Sequence, residues 1–216
     1  MLETSISNAG LMLLGAIDTS ARDVPGVPAG VATLVLLGWA GSEPWSVFAA
    51  SAEFVDGAAD PLDRWTRRVV DDLAREVGAT PLYPFGGPPW LPFQAWALRA
   101  GIARKSPIGL LIHPRYGLWH SYRAALAFVD PIAFPPQAAM PSPCDTCVDK
   151  PCLSACPVDA YTTAGFAVDA CRTHLAKTNT PCRSDGCLAR DACPVGHAWR
   201  SGAEQIRFHQ SAFMRA

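Results

Sequence analysis

The chain has 216 residues, half of them apolar, and 18 basic against 19 acidic side chains leave a formal charge of −1. That is enough apolar surface for one good core or two compact units, and it excludes a disordered chain or a fibrous repeat. The near-neutral balance excludes a surface built to coat nucleic acid or an anionic membrane, and no apolar run is long enough to span a bilayer.

The N-terminal MLETSISNAGLMLLGAID carries Glu3 and no basic flank, so it does not read as a secretory signal. A cytoplasmic protein with reduced thiols is the expectation. GVATLVLLGWAG, residues 30–41, is a continuous apolar run rich in β-branched residues and bounded by glycines. It predicts a strand covered on both faces. DPLDRWTRRVVDDLAREVG follows, with Asp60 as N-cap, Pro61 at the first helical position, and Leu62, Trp65, Val69, Leu73 and Val77 along one stripe. It predicts a helix that stops at Gly78, with Trp65 as core packing.

ATPLYPFGGPPWLPFQAWALRAG begins as a Pro/Gly/aromatic loop and turns helical around Gln94 to Arg99, with Gly101 at its end. Tyr83, Phe85, Trp90, Phe93 and Trp96 could wall a flat cofactor or fold over the core. PIGLLIHPRYGLWHSYRAALAFVDP reads as a hairpin of two strands around a Pro-Arg-Tyr-Gly turn. No acidic residue occurs between Glu76 and Asp130, whereas Arg99, Arg104, Lys105, Arg115 and Arg123 do, which suits either a bound anion or a solvated basic face. Four prolines within residues 133–143 can neither continue a helix nor pair as a central strand. The expected organisation is therefore a first domain over 1–133, a linker over 134–143 and a second domain over 144–216.

All eight cysteines lie between Cys144 and Cys193. Disulfides are the weakest explanation for reduced thiols. The first cluster is C-x2-C-x4-C-x3-C-P and the last cysteines are C-x4-C-x5-C-P, with Cys171 between them. A short loop of spaced cysteines can wrap a cubane whose irons each need one thiolate, and in two-cluster ferredoxins the fourth cysteine of such a run ligates the other cluster. Eight ligands divide evenly into two [4Fe-4S] clusters. Zinc also uses paired cysteines, but only Cys144 and Cys147 form a C-x2-C knuckle, which favours iron. Eight thiols leave no vacancy for His174, His197 or His209. Two clusters would add roughly four negative charges, and Arg172, Lys177, Arg183, Arg190, Arg200, Arg207 and Arg215 outnumber Asp185, Asp191 and Glu204 in the same stretch.

The order of Ala100-Gly101, LLIHPRYGLW, the cysteine run ending in Cys156-Pro157, Val168-Asp169-Ala170-Cys171, two further cysteines and Cys193-Pro194 resembles the iron-sulfur, cobalamin-dependent epoxyqueuosine reductases and their ferredoxin-like relatives. The resemblance spans roughly residues 80–196. It implies an α+β protein in which an α/β domain of the nitroreductase-like, cobalamin-processing type precedes a ferredoxin-like domain. It further implies that Cys144, Cys147, Cys152 and Cys193 hold one cluster and Cys156, Cys171, Cys182 and Cys187 the other. The family's glycine-rich segment is here Ala100-Gly101-Ile102-Ala103-Arg104-Lys105-Ser106. Where the family's proton-donating aspartate is expected, this chain has Gly86-Gly87-Pro88-Pro89. The chain ends soon after the last cysteine, so helical repeats that grip transfer RNA are not expected.

The resulting expectation is electron transfer through two clusters, between a redox partner protein and a corrinoid or other small-molecule cofactor on the first domain. Candidate cofactor contacts are Trp90, Arg99, Arg104, Lys105, His113 and Tyr116, although a histidine such as His113 is more often a satisfied structural residue. The alternatives are a non-catalytic electron carrier and a zinc-stabilised interaction module. No catalytic residue is assigned.

Overall fold

The computed structural model describes residues 1–20, 24–134 and 140–215. From the N-terminus come α1 (Leu2–Asn8), β1 (Met12–Asp18), β2 (Thr33–Ala40), α2 (Glu43–Ala49), α3 (Ala52–Val55), α4 (Pro61–Val77), β3 (Thr80–Leu82) and α5 (Phe93–Arg99). Two short strands follow, β4 (Arg104–Lys105) and β5 (Leu111–Ile112), then the long β6 (His120–Phe128). The chain packs as two units: residues 1–102 with 120–140, and residues 103–119 with 141–216.

The first unit is built on a four-stranded antiparallel sheet of order β1-β2-β6-β3. All eight residues of β2 are buried. Because successive side chains alternate between faces, eight buried residues in a row require cover on both. Gly38 breaks the aliphatic run for a steric reason, since a Cβ there would stand 2.0 Å from the Ser121 carbonyl oxygen, at the point where the β2–β6 register shifts.

Helix α4 forms over the expected residues, and Trp65 is core: its ring lies 5.3 Å from Trp39 and 5.9 Å from Phe48. Two details differ from expectation. Asp60 sits in the left-handed region and makes no side-chain cap; its backbone carbonyl accepts from Asp63 and Arg64 instead. The buried stripe includes Thr66, Val70 and Ala74 besides Leu62, Trp65 and Leu73, while Val69 and Val77 are half-buried, so the face is turned from the expected centre. At α5, Gly101 follows the last turn with φ 84 and its N–H bonds to the Leu98 carbonyl, as its placement predicts. Phe93 and Trp96 of the aromatic loop are core, and Trp96 donates to the Pro25 carbonyl at 2.8 Å.

The expected hairpin is replaced by a different pairing. His113 and Gly117 do close the Pro-Arg-Tyr turn by exchanging backbone hydrogen bonds, but β5 pairs with β4, and β6 joins β2 and β3 in the large sheet. The expected domain boundary differs correspondingly, because residues 103–119 pack with the cysteines. Ile108, Ile112 and Leu118 are buried in one cluster with Cys152, Ala189 and Cys193. The linker expected over 134–143 falls partly on residues 135–139, outside the described residues.

The second unit continues with α6 (Pro151–Ser154), β7 (Tyr161–Thr162), β8 (Gly165–Phe166), α7 (Val168–Leu175), α8 (Pro181–Ser184), α9 (Leu188–Asp191) and α10 (Ala203–Arg215). Proline opens both α6 and α8, where its missing N–H costs nothing, and in each the next residue is a cysteine. The β7–β8 hairpin places Phe166 on Tyr161, with ring centroids 5.1 Å apart. Among the described residues no helix is long and apolar enough to cross a membrane.

Candidate metal centre

The cysteines are brought to their places by these short helices and the turns before them. Cys152, Cys182 and Cys193 are buried, the other five half-buried, and none is in a disulfide. Cys144 follows a turn in which its N–H bonds to the Ser142 hydroxyl. Cys187 follows Gly186, whose φ of 93 lets the chain reverse against Ile206.

Electrostatic proximity sorts the thiols into two groups. Burial raises the Cys152 pKa most, and after it the neighbouring Cys193, Cys144 and Cys147. Cys144 is raised by burial, then by Cys193 and Cys147 after the opposing Ser142 bond, and Cys193 by burial and Cys147. In the other group, Cys171 is raised by burial and then by Cys187, Cys156 and Cys182, while Cys182 is raised by burial and by Cys187 and Cys156. The quartets are therefore Cys144, Cys147, Cys152, Cys193 and Cys156, Cys171, Cys182, Cys187. Each takes one cysteine from the far end of the other motif: Cys193 joins the first three, and Cys156 joins the later ones.

All four thiols of the second quartet line one cavity of about 300 Å³, together with Pro157, Tyr161, Leu175 and Arg190. Donors face two of its sulfurs. The Ala160 N–H lies 3.3 Å from Cys156 Sγ and the Tyr161 hydroxyl 3.2 Å from Cys187 Sγ, while Leu188 and Thr180 oppose the rise in the Cys182 pKa. His174 is tied to Thr180 at 2.5 Å. The cavity is thus lined by four thiols outside any disulfide, with the Ala160 amide and the Tyr161 hydroxyl at two of the sulfurs. Burial is the largest cause of the raised pKa values of Cys171 and Cys182, and the neighbouring thiols add to it. Among the described residues no group of three or more His, Cys, Asp or Glu could hold a metal ion.

The expected compensating cations take different roles. Arg200 pairs with Asp191, and Arg172 donates to the Phe213 carbonyl and lies over its ring. Arg190 instead has no carboxylate partner among the described residues, its guanidinium donating twice to the Leu118 carbonyl over the Trp119 ring. Burial pushes its pKa down to about 10, opposed by Cys187 and Tyr161. Tyr161 escaped the sequence reading because nothing in its spacing distinguishes it from a packing aromatic.

The candidate cofactor contacts are divided between the units. Trp90, 65% exposed, and exposed Arg99 belong to the first; Arg104, Lys105, His113 and Tyr116 belong to the second. Of the other expected basic residues, Arg123 is bonded to Asp63, and Arg115 lies over Tyr116 and Trp199. Imidazole Nδ1 of His113 accepts from the Arg115 and Tyr116 amides at 3.0 and 3.2 Å, and its ring stacks on Tyr116 at 4.4 Å. Burial, then Arg115, lowers its pKa to about 4. The folded value lies below the unfolded one of about 6.5, so its contribution to stability is full above pH 6.5 and is lost as pH falls toward 4. The thermal stability of the second unit should fall as pH drops over that window, and His113→Asn should flatten the dependence; an unchanged pH profile in the variant would show that another group governs it.

No protein-family model and no curated protein matches the sequence. Solved structures do match. The Caenorhabditis elegans B12-trafficking protein CblC, a human MMACHC homologue, aligns over 97% of this chain and 88% of its own at 16% identity, with a TM-score of 0.56. Epoxyqueuosine reductase from Bacillus subtilis, with a catalytic loop swung out of the active site, aligns over 91% of this chain at 16% identity and a TM-score of 0.53. The enzyme from Streptococcus thermophilus aligns over 90% at 14% identity and a TM-score of 0.50. This chain covers 65% of either reductase chain. The mixed α/β fold with its antiparallel sheet is thus similar to that of CblC and the epoxyqueuosine reductases.

Proposed function

We propose that this protein transfers electrons through two [4Fe-4S] clusters held in a ferredoxin-like second unit, passing them from a redox partner protein to a corrinoid or other cofactor bound by the first. The observation that carries the reading is the sorting of eight thiols into two quartets with none left over, each borrowing a member from the other motif. Interlocked ligation of that kind is the hallmark of two-cluster ferredoxins.

Cys144, Cys147, Cys152 and Cys193 would hold one cluster and Cys156, Cys171, Cys182 and Cys187 the other. When bound, such clusters supply one-electron chemistry. The protein's own contribution is to place the sulfurs, to aim the Ala160 amide and the Tyr161 hydroxyl at two of them, and to exclude water with Ile108, Ile112, Leu118 and Leu175. Fold similarity to a B12-trafficking protein supports a corrinoid as the acceptor, with Trp90 and Arg99 as its proposed contacts on the first unit.

Iron, zinc and cobalt counted together on protein purified without oxygen and offered cobalamin test the reading. About eight irons per chain and near-stoichiometric cobalt are expected. Iron without cobalt would leave a plain electron carrier, and zinc without iron would overturn the redox reading in favour of an interaction module.

A further inference from the structure

Two cysteine quartets of one protein need not be equivalent, and here their surroundings differ. Around the first, the sulfur contacts from outside the quartet are Ser142 at Cys144 and the Val195 amide at Cys193. Around the second, the Ala160 amide lies 3.3 Å from Cys156 Sγ and the Tyr161 hydroxyl 3.2 Å from Cys187 Sγ. Arg190, moreover, lines the cavity enclosed by the second quartet, held there by the Leu118 carbonyl at 2.9 and 2.6 Å and by the Trp119 ring at 4.3 Å.

A guanidinium removed from water without a carboxylate is costly unless an anion stands nearby. The group facing Arg190 is Cys187, whose sulfur is also the Tyr161 partner. Hydrogen bonds to sulfur and positive charge both stabilise the more negative, reduced state of a cluster and raise its potential. Resting on the two-cluster reading above, we propose that Arg190 and Tyr161 hold the cluster of Cys156, Cys171, Cys182 and Cys187 at a higher potential than that of Cys144, Cys147, Cys152 and Cys193. An electron delivered by a low-potential one-electron donor protein, itself oxidised by one electron, then resides on the second cluster, reduced by one.

The test is an anaerobic redox titration of the full chain followed by electron paramagnetic resonance, with iron counted on every sample. The wild type should show two separated potentials. Tyr161→Phe should lower only the higher one, by several-fold in the reduction equilibrium, and Arg190→Met by about tenfold, or 59 mV for one electron. Arg190→Lys should restore part of the shift. Tyr161→Phe keeps the packing on Phe166 and so serves if Arg190→Met fails to fold. With about eight irons present, two coincident potentials, or variants that move the lower potential or neither, would overturn this inference and leave the cluster reading standing. A chain that takes up no iron would overturn both.

Discussion

Alanine at Cys193 is expected to abolish the same cluster signal as alanine at Cys144, although 49 positions separate them. Alanine at Cys156 should instead act with alanine at Cys182. Each single replacement should lower iron from about eight to about four per chain, because a cubane lacking one thiolate is lost while its neighbour keeps all four. Electron paramagnetic resonance of the dithionite-reduced variants, with iron analysis, reads this directly. If Cys193→Ala and Cys182→Ala remove the same signal, the quartets follow sequence order and the interlocked arrangement is wrong. The consequence for stability should be large as well. One core cluster of the second unit joins Ile108, Ile112, Leu118 and Ala189 with Cys152 and Cys193, so loss of the proposed metal should loosen that packing. Chelating the iron should expose this unit to protease while the sheet of the first stays protected.

The second large effect is steric and needs no metal. Alanine at Gly117 would put its Cβ 1.8 Å from the Val195 carbonyl oxygen, and alanine at Gly196 would put its own 2.3 Å from the Tyr116 carbonyl carbon. Both glycines also have positive φ, 56 and 72. The colliding atoms are backbone, so no side chain can swing aside, and each change should cost about 3 kcal/mol or more. Gly109 is a suitable comparison: its φ is 77, yet a Cβ there would meet nothing within 4 Å, so alanine should cost only the roughly 1–2 kcal/mol of the left-handed conformation. Denaturant unfolding of the three variants separates strain from collision. A Gly196→Ala protein as stable as Gly109→Ala would mean that the turn at 113–117 does not seat on the loop after Cys193. Because that loop carries a proposed cluster ligand, Gly196→Ala should also reduce iron retention.

These two expectations draw on different sources. Local and periodic features were legible without coordinates. A run of aliphatic residues between glycines could only be a strand buried on both faces, and β2 is one. The stripe on α4 and the glycine after α5 follow from helical spacing and from the conformational freedom that glycine alone has. The concentration of every cysteine in one stretch likewise set the thiol chemistry in the second half of the chain.

What tertiary structure decided were the long-range matters, for which a sequence has no local signature. The hairpin expected around Pro114 was reasonable for two short apolar runs flanking a turn, but strand partners are chosen by the whole sheet, and β6 gained more buried pairing beside β2 than β5 could offer. The segment 103–119 went with the cysteines for the same reason, since Ile108, Ile112 and Leu118 found their apolar partners there. Likewise, a tyrosine 26 positions before Cys187 becomes its partner only once the chain has folded. Spacing along the chain named the eight thiols as a set and the family resemblance implied their division into two quartets; folding determined which charges and hydroxyls they meet.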